Sequence, residues 1–317
     1  MPRPAGRDQR VAGVTIAAPL AEAIGRATGA AVVQARRTGG GDINAAYEVR
    51  LDDDRHAFVK TRTVAPAGEY AAEAAGLQWL GAPGALSVPE VLGVHDPANG
   101  DEATRVLVLE WIESGRLDQA GEEELGRGLA RVHCAGAPDF GAPPPGAPAP
   151  DGQIAPLRLG AVLLPNDPLT DWPTFYAEHR LRPLVAMALE CGSLSSAAAR
   201  VIESVCERMP ALAGPPEPPA RLHGDLWSGN VLPGADGRPR VIDPAAYGGH
   251  REIDLAMLRL FGSPSRRFFA AYEEVTPLAG GCRERVQLWQ LLPLLVHAVL
   301  FGGGYGAAAE RVARRYL

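Results

Sequence analysis

Eight residues in the second half of the chain, His223-Gly224-Asp225-Leu226-Trp227-Ser228-Gly229-Asn230, restrict its fold more than any other stretch. They hold an acid, an amide five positions later, two glycines and an aromatic, and they run into an apolar pair and a turn, Val231-Leu232-Pro233-Gly234. The short run Val241-Ile242-Asp243-Pro244 reads as a strand that ends on a second acid, Asp243, thirteen residues beyond Asn230. An Asx-rich turn between two strands is a common structure. An acid and an amide at fixed spacing, followed after the next strand by another acid, ask for more than a turn.

Phosphoryl transfer uses such a set. Positioning and charge neutralisation carry nearly all of that chemistry, so the protein must hold a nucleotide's phosphates through Mg²⁺ and place one acceptor hydroxyl in line. One carboxylate takes the hydroxyl proton, while an amide oxygen and a second carboxylate offer hard ligands to the metal. Protein kinases set the loop Asp and loop Asn five apart in H-R-D-L-x-x-x-N. Asp225 and Asn230 have that separation. Asp225 is therefore the candidate catalytic base, and Asn230 and Asp243 are the candidate Mg²⁺ ligands.

His-Gly-Asp-Leu-Trp-Ser-Gly-Asn followed by Ile-Asp-Pro-Ala resembles the fructosamine kinase (ketosamine 3-kinase) family, a branch of the protein-kinase-like fold that also holds aminoglycoside phosphotransferases and choline kinases. His-Gly-Asp with Asn five past the Asp is shared across the wider group and specifies only the reaction. Trp227 followed by Ser228 points to the ketosamine branch. The resemblance extends from Gly39 to Met257 and takes in the Gly-Gly-Asp-Ile-Asn segment ending at Asn44 and the run from Tyr247 to Met257. It implies an ATP-dependent kinase that phosphorylates the sugar O3 hydroxyl of ketosamines, such as a fructosamine or ribulosamine on a free amine or a glycated protein lysine, in the service of deglycation. Trp227 would lay its ring against the sugar. His223 is grouped with it on the substrate side, although its place in the motif suits a hydrogen-bonded brace of the loop better than an acid or base. Two rivals stay open: a kinase of another hydroxylated amine, such as an aminoglycoside or choline, and a catalytically silent nucleotide-binding protein. The silent protein should have lost a metal ligand or the lysine described next, and neither is lost.

Of the 31 basic side chains only Lys60 is a lysine. Where arginine serves every other cationic position, a lone lysine marks a place that needs a compact ammonium on a flexible stem. It ends the apolar run Ala57-Phe58-Val59, as the nucleotide-binding lysine of kinases ends V-A-I-K. Glu73, on a helix predicted from Glu69 to Leu80, is the candidate brace for it, with Glu69 as the second choice. Gly39, Gly40, Gly41, Asp42 and Asn44 lie between two predicted strands and form a candidate phosphate-covering loop, although they depart from G-x-G-x-x-G. A Rossmann loop would need a helix next. In the resembled fold the crossing Glu110-Trp111-Ile112 is the hinge that receives adenine, and Trp111 suits a core aromatic equally well.

The resemblance implies an α+β, bilobal protein-kinase-like fold, with an N-terminal lobe over 1–112 that holds an antiparallel sheet and a mainly helical lobe over 113–317, and the periodicity agrees with strands first and helices after. Strands are predicted over 31–35, 46–51, 57–60, 87–94 and 105–109, and helices over 19–27, 121–134, 172–189, 194–209, 266–275, 283–301 and 307–316. Glu252 and Asp254 open a further helix, where carboxylates suit the dipole and cap amides, so both are read as structural. The segment Pro138 to Pro150 is too rich in Pro and Gly for regular structure and is expected as an extended surface loop. A net charge of -6 and a pI near 5.7 argue against nucleic acid as partner. The four cysteines stand far apart without zinc spacing and read as thiols in a reducing compartment. The first residues lack the apolar core of a secretory signal, and the longest apolar run, Leu291 to Phe301, is too short to span a bilayer. The expectation is a soluble, cytoplasmic protein.

Overall fold

The computed structural model describes residues 16–39, 45–62, 64–97, 104–149 and 153–317. Its contacts divide the chain into two units, Met1–Tyr70 with Val91–Trp111, and Ala71–Glu90 with Ile112–Leu317.

The first unit is a five-stranded antiparallel sheet covered on one face by a helix. Helix α1 (Ala18–Thr28) precedes strands β1 (Val32–Thr38), β2 (Ala45–Leu51) and β3 (His56–Thr61). Helix α2 (Glu69–Gly81) intervenes, with its residues from Ala71 onward in the second unit, before β4 (Val91–His95) and β5 (Val106–Glu110). The strand order is β1-β2-β3-β5-β4. Alternation decides the faces: Val49, Leu51, Ala57, Val59, Val106 and Val108 bury against Leu20, Ala23 and Ile24 of α1. The helix stops at Gly29, whose φ of 73° suits a residue without Cβ and whose N–H bonds back to Gly25. Close packing of α1 on β4 depends on Gly93, where a Cβ would fall 2.0 Å from the Ala27 carbonyl oxygen. The 87–94 strand begins only at Val91, because Pro89 has no N–H for a ladder.

The second unit is mainly helical. Helix α3 (Gln119–Cys134) is followed by a hairpin, β6 (Leu157–Leu159) with β7 (Val162–Leu164), then by α4 (Trp172–Tyr176), α5 (Arg182–Glu190), α6 (Ser196–Glu207) and α7 (Met209–Leu212). Strands β8 (Ala220–Leu222), β9 (Val231–Pro233), β10 (Pro239–Val241) and β11 (Tyr247–Gly249) come next, then α8 (Glu252–Met257), α9 (Arg266–Val275), α10 (Cys282–Trp289), α11 (Leu291–Phe301) and α12 (Tyr305–Ala313). One core gathers around Trp172, Phe175, Tyr176 and Trp289. Another lies between α3 and α9, with Leu125, Leu129, Phe268 and Tyr272.

Two predicted helices are broken, each by a proline. The 172–189 helix contains a π turn over Ala177–Leu181. Pro183 has no N–H to give the His179 carbonyl, which takes a bond from the Arg180 guanidinium instead, at 3.0 Å. The 283–301 helix divides at Gln290. Pro293 leaves the Trp289 carbonyl without its helical donor, and the buried Tyr176 hydroxyl donates there at 3.1 Å.

The segment from Pro138 is not wholly a surface loop. Phe140 and Ala142 are buried, Phe140 packs on Trp172, and Gly141 and Ala142 exchange bonds with Gly248 at 2.8 Å each way. An aromatic inside a Pro-rich stretch finds core, and the flanking backbone must then find partners. Among the described residues, no helix is long and apolar enough to cross a membrane.

Candidate active site

The loop after β8 is held from two sides. Leu222 pairs with Tyr247 of β11, and Leu226 is buried in the core between α3 and α9. The sharp reversal between them falls on Gly224, with φ 82°, where a Cβ would lie 1.9 Å from the Ala245 carbonyl oxygen. Asp254 of α8 then accepts the N–H groups of His223 at 2.7 Å and Gly224 at 2.9 Å. The reading of Asp254 as structural is right, but it does not cap its own helix: it caps the loop.

Asp254 is fully buried, which by itself raises its pKa. The hydrogen bond from His133, with the amides of His223 and Gly224, outweighs that and holds the carboxyl below its ordinary range. His133 Nε2 donates to Asp254 at 3.2 Å, and its Nδ1 accepts from the Tyr272 hydroxyl at 2.8 Å. Burial pushes the Tyr272 phenol up, so it stays a donor. No local pattern announces His133 and Tyr272; their only signal is a polar residue on the buried face of an amphipathic helix. Glu252, the neighbouring acid, accepts from Arg285 at 2.6 Å and from the Trp289 indole at 2.7 Å.

His223 has no exposed surface. Its Nε2 donates to the Ile242 carbonyl at 2.9 Å, and its Nδ1 accepts the Asp225 N–H at 3.3 Å. Burial lowers its pKa, only partly offset by Asp254, the Ile242 carbonyl and Asp243. The ring is spent on joining the loop to the segment before Asp243. Grouping His223 with the substrate contacts is therefore corrected, because a ring enclosed on every side has no face to offer a sugar.

A 3₁₀ turn, Ser228–Asn230, brings the amide back to the acid. Asn230 Nδ2 donates to the Asp225 carbonyl at 2.8 Å and to its carboxylate at 3.3 Å. With the nitrogen committed, the amide's oxygen is the end suited to a hard cation. The β9–β10 hairpin extends this arrangement: Ile242 N donates to the Asn230 carbonyl at 3.0 Å, which sets Asp243 one residue beyond a direct backbone bond to Asn230. Asp243 takes φ 55°, a left-handed conformation uncommon outside glycine and a form of strain that gathers at functional sites. One amide oxygen with one or two carboxylates is too small a set to hold a metal alone. It suits Mg²⁺, which keeps few protein ligands and completes its shell with phosphates and water. Among the described residues no group of three His, Cys, Asp or Glu is placed to hold a metal.

Trp227 is 38% exposed, with its ring over Gly229 and edge-on to Phe261. A pocket of about 30 Å³ opens at Asp225, walled by Leu159, Ile253, Met257, Leu292 and Val296. His297 also lines it and donates Nδ1–H to the Pro293 carbonyl at 2.7 Å. Nothing in the sequence pattern pointed to this pocket, since its walls come from β6, α8 and α11.

The remaining candidates divide between the two units. Gly39 follows β1, Lys60 is in β3 opposite Ala46 and Leu107, and Glu110 ends β5, all in the first unit. Trp111, in the same unit, stacks on His56 at 5.1 Å. Glu73 on α2 and Ile112 belong to the second unit. Glu69, the other brace considered for Lys60, pairs with Arg62 at 2.5 Å. Gly40, Gly41, Asp42 and Asn44 lie outside the described residues.

Comparison with known proteins bears on this geometry. Residues 15–317 match the family model for fructosamine kinase. A probable ketoamine kinase of Synechocystis is 34% identical over 301 residues, covering 94% of this chain and 96% of that protein. A chloroplastic protein-ribulosamine 3-kinase of Oryza sativa is 32% identical over 282 residues, covering 88% and 77%. A crystal structure from Thermobifida fusca, assigned as a fructosamine-3-kinase, superposes with a TM-score of 0.83 at 42% identity, covering 94% of this chain and 98% of that one. An aminoglycoside phosphotransferase in ternary complex with AMP-PNP and hygromycin B gives 0.59 at 17% identity over 95% and 98%, a likeness of protein-kinase-like fold alone.

Proposed function

This chain belongs to the fructosamine kinase family, and on that premise we propose that it transfers the γ-phosphoryl group of ATP to the O3 hydroxyl of ketosamines, fructosamine or ribulosamine adducts of amines. Membership makes it an ATP-dependent phosphotransferase of the fructosamine kinase type. The observation that carries the acceptor side is the bond from Asn230 to Asp225, with Asp243 one residue past the Ile242–Asn230 bond, beside a pocket that Asp225 lines.

In this reading Asp225 takes the proton of the O3 hydroxyl as that oxygen bonds to phosphorus and the bond to the departing ADP oxygen breaks. The Asn230 side-chain oxygen and the Asp243 carboxylate would hold Mg²⁺, which would neutralise charge on the phosphates. Lys60, braced by Glu73, binds those phosphates, and Gly39, Gly40, Gly41, Asp42 and Asn44 lend them amides. Glu110, Trp111 and Ile112 receive the adenine. Trp227 packs its exposed ring on the sugar's apolar face. The O3 ester is prone to lose the sugar, which makes deglycation of amines or protein lysines the biological use.

The test is ATP consumption with a ribulosamine and a fructosamine beside an aminoglycoside and choline, with phosphorus NMR locating the ester. Phosphate at O3 of the ketosamines is expected; turnover confined to the aminoglycoside or choline overturns the reading. Asp225→Asn should lower turnover by about 10²–10⁴-fold while nucleotide binding is retained, and near-normal turnover would reject Asp225 as the base.

A further inference from the structure

Hydrocarbon forms most of the pocket at Asp225, but its walls do not share one origin. Ile253, Met257, Leu292 and Val296 come from α8 and α11, helices that the unit's core fixes; Ile253 and Leu292 are 3% and 2% exposed. Leu159 instead ends β6, in a hairpin whose two strands pair only with each other among the described residues. Its neighbours Leu157, Val162 and Leu164 lie on the same face of the hairpin and are buried in the core, and Gly160 at the turn comes close to Leu300. Leu159 itself stays half-buried, facing the space beside the catalytic loop. It packs against the edge of the core, whereas Ile253, Leu292 and Val296 are enclosed within it.

We propose that Leu159 is a specificity-determining residue, which makes the acceptor site favour a ketosamine whose amine substituent begins with methylene groups over one that carries hydroxyls. This rests on the reading of Asp225 as the base of a ketosamine kinase. The space beside Asp225 is small, about 30 Å³, and suits a short segment of an acceptor already held there. Hydroxyls pressed on hydrocarbon lose their water partners and gain none, whereas methylenes gain by leaving water. An aminoglycoside presents hydroxyls and amines in every direction. The substituent of a glycated alkylamine presents methylenes next to the nitrogen, where Leu159, Met257 and Val296 can enclose them.

The experiment compares kcat/KM for N-methyl, N-butyl and N-(2,3-dihydroxypropyl) fructosamine in the wild-type protein and in Leu159→Ala and Leu159→Met. The wild type should favour butyl over dihydroxypropyl by about tenfold or more, Leu159→Ala should cut that ratio to about twofold, and Leu159→Met should restore it. The change should lie in KM, and the denaturant midpoint of each variant serves as the control for folding. If the wild type uses all three acceptors equally, or Leu159→Ala slows all three alike, the role of Leu159 is overturned while the ketosamine reading stands. If the wild type phosphorylates no ketosamine, that reading fails and takes the proposal with it.

Discussion

Lys60 and Asp225 are held by opposite means. Lys60 is one rung of a ladder, paired with Ala46 within the β2–β3 register and with Leu107 at the end of the β3–β5 register. The sheet sets the position of its backbone. Asp225 sits on a loop whose reversal depends on one carboxylate, Asp254, accepting two successive amides, backed by His133 and Tyr272. A placement spread over many backbone bonds tolerates change at any one residue. A placement concentrated in a few buried polar groups does not, because each lost partner leaves another group buried without water.

Asp254→Ala should show this most strongly. It strands the amides of His223 and Gly224 and the Nε2 of His133 in a fully buried place, a loss of about 3–5 kcal/mol in unfolding free energy by the measure of broken buried pairs. Whatever remains folded should lose kcat while ATP affinity changes little. Asp254→Asn keeps one oxygen for the amides and should fall between. Denaturant midpoints and steady-state kinetics decide it: an alanine variant with wild-type midpoint and kcat would break the contrast, since the loop would then hold itself.

The same contrast explains what could be read in advance. The sheet unit was legible because its determinants are near in sequence: alternation assigns the faces, Gly29 stops α1, and the turn at Asp52–Arg55 joins β2 to β3. Lys60 stood out by composition and Asp225 with Asn230 by spacing. What escaped depends on contacts remote in the chain. His133 reaches Asp254 across 121 residues and Tyr272 across 139. The breaks at Pro183 and Pro293 were visible as prolines, but the continuation of helix beyond each relied on Arg180 and Tyr176 filling the vacated carbonyls. Hairpin β6–β7 is only three residues per strand, too short for a period to register. Phe140 found core from inside a Pro-rich segment for the same reason: its partner Trp172 lies outside any local window.

Lys60→Arg sharpens the comparison from the other side. The ladder keeps the strand, so the unfolding free energy should move by less than about 1 kcal/mol. The planar guanidinium cannot repeat the reach of an ammonium, so the KM for ATP should rise by roughly tenfold. Measured together, a stable protein with impaired nucleotide use supports distributed placement with local chemistry. Unchanged kinetics would remove the argument from the lone lysine, and a collapse in stability would show that Lys60, too, is held by one contact.

The smallest effect is one of pH, and it belongs to the second unit. Burial lowers the pKa of His223 and of His250 below the ordinary 6.5, with nearby carboxylates offsetting only part of it. Folding therefore disfavours the protonated form of both rings, while the unfolded chain takes up protons as pH falls past about 6.5. Because the unfolded state then binds more protons, stability must drop with falling pH, and it continues to drop until the folded pKa values are passed. Asp254 acts in a lower window: its carboxyl lies below 3.8, so its contribution is whole above that value and is lost only in stronger acid. Denaturant midpoints between about pH 8 and pH 5.5 thus report the histidines, and a tenfold change in proton affinity is worth about 1.4 kcal/mol. His250 stacks on Trp289 at 5.5 Å and lies 5.9 Å from Trp172, so tryptophan emission follows the unit that carries the effect. A midpoint that stays flat across that range would mean the rings are protonated as readily inside the fold as outside it, and the enclosure of the loop by its buried polar groups would be looser than their hydrogen bonds indicate.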